Sequence, residues 1–467
     1  MKKKILATAL LAALGQISTA SAVNWLQLQN NEAAGAGAFR YFGFIQPTYT
    51  YNQGSAVTGI PATVVSPVNG ANVAVPTGLT AYNGQTALPN LVGPELKNRS
   101  QFQVLRARIG ARGVLPETDE KINYFVLAEV GNNGLTRVQS AVMSDANMTL
   151  NYIPGMRIRA GLGRLPMGEE AMQGVQVMDY INFTNVTDQL LNERFVEPYA
   201  NAARTHAAAP GVPMAMSKMV GATGGYRDVG VQLFDWFSDG RWEYAYALML
   251  SQGNGISFNT NHPDNHDVTT RLQASYVFQG AGQKREDVIA YVWNQNGNRV
   301  YAGSDNKRVR EGVGARYSYH GVRLAGEYIR ARGMIYVAPT PQFNDIGAPA
   351  YEPIDYVALD SSNTADGYYL DSGWRFTHDW EADVRYDVLN KMTNSAYDER
   401  RATTWTFGAQ YFYSPKMRIV MNYEVRKVEV THPEAQVTNA QKIQGTAATV
   451  IGDSIGNRIS AQLTYIF

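Results

Sequence analysis

The chain has 467 residues, with 41 basic and 40 acidic side chains and no cysteine. Near-neutrality gives no general reason to expect nucleic-acid binding, and without cysteine neither disulfides nor thiolate-bound metals can hold the fold. Charged residues make up 17% of the chain, while Tyr, Phe and Trp number 28, 16 and 7; an ordinary globular domain carries roughly 25% charge.

Lys2, Lys3 and Lys4 precede the apolar stretch from Ile5 to Gly15, and Ala20, Ser21 and Ala22 have the small side chains of a cleavage site. Residues 1–22 therefore read as a secretory signal peptide. Cleavage after Ala22 leaves 445 residues, with 38 basic against 40 acidic side chains. No later window approaches the roughly eighteen consecutive apolar residues of a membrane helix. An exported chain of this kind is either soluble or crosses a membrane as a closed β-barrel.

From about residue 37 the chain alternates at a period of two, which places successive side chains on opposite faces of a strand. Ala107, Ile109 and Ala111 alternate with Arg106, Arg108 and Arg112. Ile122, Tyr124, Val126, Ala128 and Val130 oppose Asn123 and Glu129, with Phe125 and Leu127 on the polar side. Ala146, Met148, Leu150 and Tyr152 oppose Asp145, Asn147, Thr149 and Asn151; Met156, Ile158, Ala160 and Leu162 oppose Arg157, Arg159 and two glycines. Helical periodicity is confined to Val186–Phe195. Alternation returns at Trp380–Val388, Trp405–Tyr413, Met417–Val425 and Arg458–Phe467, with aromatic and aliphatic residues on one face and charge on the other.

Short joints at 116–120, 153–155, 238–241, 319–321, 377–379 and 414–416 alternate with long polar stretches at 53–96, 253–267, 331–365, 390–401 and 428–457. Long and short connections in alternation, strands of about ten residues and aromatics at strand ends predict a transmembrane antiparallel β-barrel, with short periplasmic turns and long extracellular loops. The length suits sixteen strands, in one all-β domain spanning 23–467. A soluble β-rich exported protein, such as an adhesin, is the alternative.

Several segments, in order, resemble the phosphate-selective porin O and P family of Gram-negative outer membranes. They are Leu105–Gly113, with its three arginines; Arg159–Glu169, a glycine strand ending in a Pro turn; Asp179–Phe195, which carries a Glu-Arg pair; Arg227–Leu233 followed by Trp242–Gly255; and Asp366–Trp374 with Glu381–Leu389. The resemblance implies an outer-membrane homotrimer that passes small anions through a basic constriction. It also implies that Tyr465 and Phe467 form the terminal signal read by the barrel insertion machinery. Phosphate-selective members rely on pore lysines, whereas this mature chain has nine lysines beside 29 arginines.

The expected function is diffusion of small hydrophilic solutes, with anion preference set by Arg106, Arg108, Arg112, Arg157, Arg159 and Arg164 lining the lumen. The other reading of these arginines is pairing with Glu129 and other wall carboxylates. The segment 175–220, including Glu193 and Arg194, is expected to fold inward as a constriction, the alternative being an ordinary external loop. Glu129, Arg271, Arg323, Glu327, Glu381, Asp383, Arg385 and Asp387 are expected to form a mixed lumen charge lattice. Lipid and lipopolysaccharide are the expected surroundings. No nucleophile elbow, phosphate-binding loop or dinucleotide fingerprint occurs, so no enzyme, metal or cofactor is expected. The rival class is a non-conducting barrel that sheathes a partner protein.

Overall fold

The period-two pattern folds into sixteen antiparallel strands that pair in sequence order and close on themselves. The computed structural model describes residues 24–29, 31–32, 35–55, 63–68, 71–76, 90–94, 99–136, 141–192, 194–196, 219–256, 265–280, 285–301, 304–337, 356–358, 360–437 and 439–467. The first eight wall strands are β1 (Arg40–Asn52), β2 (Ser100–Val114), β3 (Ile122–Val130), β4 (Ala141–Ile153), β5 (Met156–Arg164), β6 (Arg227–Asp239), β7 (Trp242–Ser251) and β8 (His266–Gln279). The second eight are β9 (Glu286–Tyr301), β10 (Ser304–Tyr319), β11 (Val322–Arg332), β12 (Thr364–Trp374), β13 (Trp380–Lys391), β14 (Arg400–Ser414), β15 (Met417–Val430) and β16 (Arg458–Ile466). β1 pairs with β2 on one side and β16 on the other, so Tyr49 lies opposite both Phe102 and Ala461. Closure satisfies every wall strand on both edges, which is the condition for crossing lipid with strands.

The last strand states the physical logic of the wall. Arg458, Ser460, Gln462 and Thr464 are buried, while Ile459, Leu463 and Tyr465 are exposed. A soluble sheet does the reverse, because apolar area gains by leaving water and an arginine loses by it. Across the barrel the charged set points inward and the aliphatic and aromatic set outward. Within the described residues no helix is long and apolar enough to cross a membrane.

Connections at one end are short: 115–121, 154–155, 240–241, 280–285, 320–321, 375–379 and 415–416. His320 and Gly321 both have positive φ, 49° and 76°, matching a tight hairpin turn with the twist of its strands. The joint at 280–285 was not marked by the sequence pattern. The stretch 428–457, expected as a polar loop, is a correction: β15 runs on to Val430, and a helix, Asn439–Ser454, follows. Its Ala448 and Ile451 side chains are buried, as is Ile455 just beyond it. At Val186–Phe195 the structure makes a wide helical turn, Thr187–Leu191, and then a short strand, Arg194–Val196, paired with Met219–Thr223.

Two bulges re-aim side chains into the lumen. The β1–β2 register skips Leu105, and the β3–β4 register skips Ser144. An extra residue in one strand puts two neighbours on one face, so Leu105 and Arg106 are both buried, as are Ser144 and Asp145. The largest apolar cluster lies inside the barrel. It joins Leu165, Met167, Val186, Leu190 and Leu191 to Ile289, Tyr291, Trp293, Ile329, Tyr369 and Leu389 of the wall.

Candidate functional site

The inner wall is built from the polar halves of the strands, and its arginines are engaged. Arg106 and Arg108 are 2% and 3% exposed. Arg108 donates through Nε at 2.7 Å and its terminal nitrogen at 2.6 Å to Glu129, and Arg106 reaches Gln46 at 3.5 Å. Arg112 pairs with Glu32 and donates to the Asn31 carbonyl at 2.7 Å. On β5, Arg157 pairs with Asp235 at 3.1 Å, and Arg159 donates to Thr149 at 3.2 Å and Gln232 at 3.1 Å. Arg164 donates to the carbonyls of Ala171 and Gln173 at 2.8 and 2.7 Å. Of the two residues named for the constriction, Glu193 lies outside the described residues and Arg194 opens the strand Arg194–Val196.

Two of those partners, Ala171 and Gln173, belong to a segment that leaves the wall after β5 and runs inside the barrel, residues 165–192. Its carboxylates meet wall arginines from several directions. Glu169 accepts from Arg271 of β8 at 3.1 Å and Arg316 of β10 at 2.8 Å. Glu170 accepts from Arg385 of β13 at 2.9 Å, and Asp179 faces Arg323 of β11 at 3.3 Å. Asp387 returns the arrangement by accepting from the Asn185 backbone and side-chain nitrogens at 2.9 Å. Main-chain carbonyls finish the docking: Leu190 accepts from Arg310 at 2.6 Å, Gln176 from Arg418 at 3.1 Å and Val175 from Gln46 at 3.2 Å. Charge-assisted bonds of this kind are short and strong, and they hold the segment against strands on opposite sides of the lumen. Asp188 also accepts from the backbone nitrogens of Leu91 and Val92, at 2.6 and 3.1 Å, which ties the first long loop to the same segment.

The residues expected as a mixed lattice lie on the inner wall. Arg323 stands among Asp179, Asp371, Glu381 and Asp383, the last at 2.7 Å. Glu327 accepts from the Trp293 indole at 2.6 Å, the Tyr369 hydroxyl at 3.0 Å and the Glu169 backbone at 3.1 Å. Gly312 faces the Trp293 indole and Gly314 the Tyr291 hydroxyl, where an added Cβ would overlap the neighbouring ring. Sequence reasoning missed the anchoring roles of Glu169, Glu170, Asp179, Asp188, Arg310, Arg316 and Arg418. The available signal was the break in alternation between Arg164 and Arg227, which marks where the chain leaves the wall.

The outer face carries two aromatic belts. Near the turns, Trp242, Tyr276, Phe278 and Tyr319 follow one another with ring centroids 5.2 to 5.7 Å apart, and Trp380 meets Tyr411 at 4.8 Å. Toward the long loops, Tyr49 meets Phe102 at 4.6 Å, and Tyr386 bridges Tyr368 and Trp405 at 6.2 and 4.5 Å. Between them stand exposed aliphatics such as Val231, Leu272, Val292 and Leu370. Amphipathic rings settle at the headgroup level on both sides of a hydrocarbon layer. The protein is an outer-membrane β-barrel. Tyr465 and Phe467 lie on the lipid face of this barrel, and the Phe467 backbone exchanges bonds with Gly43 at 3.0 and 3.2 Å, extending the closing ladder to the last residue.

No family model and no curated protein matches the sequence. Among solved structures, the chain is similar to an anion-selective porin from Comamonas acidovorans (11% identity, 92% of this chain and 99% of that one, TM-score 0.48). It is also similar to Salmonella typhi OmpF in complex with daunomycin (13%, 92% and 97%, 0.47) and to the outer membrane channel DcaP of Acinetobacter baumannii (12%, 94% and 100%, 0.47). These likenesses concern the path of the chain. The barrel and its place in the membrane stand on strand pairing and on the outward aromatic and aliphatic surface.

Proposed function

We propose that this barrel is a diffusion channel for small hydrophilic solutes, with a preference for anions, phosphate and other oxyanions among them. The observation that carries the reading is the inward segment 165–192, docked by wall arginines on several sides. A segment held in this way narrows the lumen, as a selective channel requires. Arginine rows on β2 and β5 supply the basic side, since a low-dielectric passage magnifies the field of fixed charges. A homotrimer belongs to the same proposal. The sheath reading fits less well, because the chain's own residues 24–29, 31–32 and 165–192 occupy interior space that a partner protein would need.

Purified protein in planar bilayers should give stepwise conductance, and a salt gradient should give a reversal potential on the anion side. Replacing Arg106, Arg108 and Arg112 with Ala should move that potential toward cations, since the change removes three positive charges and strips Glu129 of Arg108. A cation-selective wild type would sink the arginine argument. Absence of channels would sink the function itself.

A further inference from the structure

A second piece of chain occupies the interior at the turn end. Trp25–Leu28 forms one helical turn, capped by the Asn24 side chain, which accepts from the Leu26 nitrogen at 3.1 Å. Leu26 is fully buried and packs with Trp25 against Met172, Phe234, Ala245 and Ala247. The Trp25 indole donates to Glu169 at 2.7 Å. The carboxamides of Asn24 and Gln27 donate to the two oxygens of Glu243 at 2.9 and 2.5 Å, and that of Gln29 donates to the Met172 carbonyl at 2.7 Å. This segment thus touches the wall, at β6 and β7, and the inward segment 165–192.

Its basic partners make a pattern. Arg40 and Arg112 lie directly opposite each other in the β1–β2 register. Like charges so placed repel, and Glu32 accepts from both, from Arg40 at 3.2 Å. Arg112 also donates to the Asn31 carbonyl at 2.7 Å, and Arg159 to the Gln29 carbonyl at 2.5 Å. Three arginines from three strands therefore converge on one short stretch. Its apolar anchor is small, Leu26 with Trp25, whereas segment 165–192 continues directly from wall strand β5.

We propose that residues 24–29 and 31–32 form a second, detachable constriction at the turn end of the lumen, which sets ion preference by covering Arg112 and Arg159 and offsetting the charge of Arg40. When the segment is seated, Glu32 offsets the charge of the opposed Arg40 and Arg112, and the Asn31 and Gln29 carbonyls engage Arg112 and Arg159. When it leaves, the same arginines face the solute path as a basic cluster, and the passage widens. The proposal rests on the channel reading above.

The test uses the full chain, refolded, beside two variants that leave the wall unchanged. E32Q should shift the reversal potential toward anions with little change in unitary conductance. L26D puts a charge into the apolar seat, so it should raise unitary conductance and shift the potential the same way. Heat-modifiable gel migration checks that each barrel is closed. Because the natural chain has no cysteine, an L26C variant reports seating directly: its thiol should react slowly with a membrane-impermeant maleimide in the folded barrel and fast after unfolding. Channels identical in wild type, E32Q and L26D, or a thiol labelled at once in the folded barrel, overturn the second constriction. Absence of channels in all proteins fails the channel reading, while L26C labelling still decides whether the segment is seated.

Discussion

An arginine inside this barrel exchanges water for a carboxylate or a peptide carbonyl, and the exchange holds only while the partner stays. Arg323 is the sharpest case, because it serves Asp179, Asp371, Glu381 and Asp383 together. Removing one member of a buried ion pair costs about 3–5 kcal/mol, since the survivor keeps its charge without its partner. Arg323→Ala is therefore expected to lower the temperature of the heat-modifiable gel shift, and Arg323→Lys to recover part of the loss. Lysine restores the charge but lacks the planar fork that reaches several carboxylates. A transition temperature unchanged in Arg323→Ala would mean that water rather than Arg323 stabilises the four acids.

At the scale of elements, the wall and the inward segment are held by different forces. Backbone ladders close the wall, while side chains dock the segment. The bulge at Leu105 links the two, because the skipped residue turns inward to join Ile181 and Val420 in an apolar contact. Deleting Leu105 removes the bulge yet leaves Gln103 and Arg106 on the same inner face, since the period of two is restored. The deletion variant should form a heat-modifiable barrel with noisier and larger single-channel currents, through loss of the Ile181 contact. Currents indistinguishable from the wild type would assign the segment's position to its ion pairs alone.

The whole molecule is sorted by depth. Leu272 lies midway along β8, and Tyr276 lies four residues nearer the turn, within the aromatic belt. An arginine facing lipid at the midplane costs about 2–4 kcal/mol and near the interface about 0–1. Leu272→Arg should accordingly lower the yield of folded barrel in lipid vesicles, measured by gel shift against urea, far more than Tyr276→Arg. Equal losses at the two positions would contradict the depth assigned by the belts.

The sequence by itself determined the wall. A period of two exposes which residues share a face, so the inward placement of Arg106, Arg108, Glu381, Asp383, Arg385 and Asp387 and the outward placement of Leu463, Tyr465 and Phe467 were legible from alternation. Turn chemistry at Gly155 and His320-Gly321 fixed the short ends in the same way. Only the tertiary structure decided what the inner face meets. No strand period marks residues 165–192, 24–29 and 31–32, and local pattern cannot name their partners, which lie up to 242 positions away in the chain, as with Arg418 and the Gln176 carbonyl. Local pattern reports the face on which a side chain sits, while closure of the barrel brings distant faces together. The same closure brings Arg271, Arg316, Arg323 and Arg385 from separate strands onto the carboxylates of one inward segment.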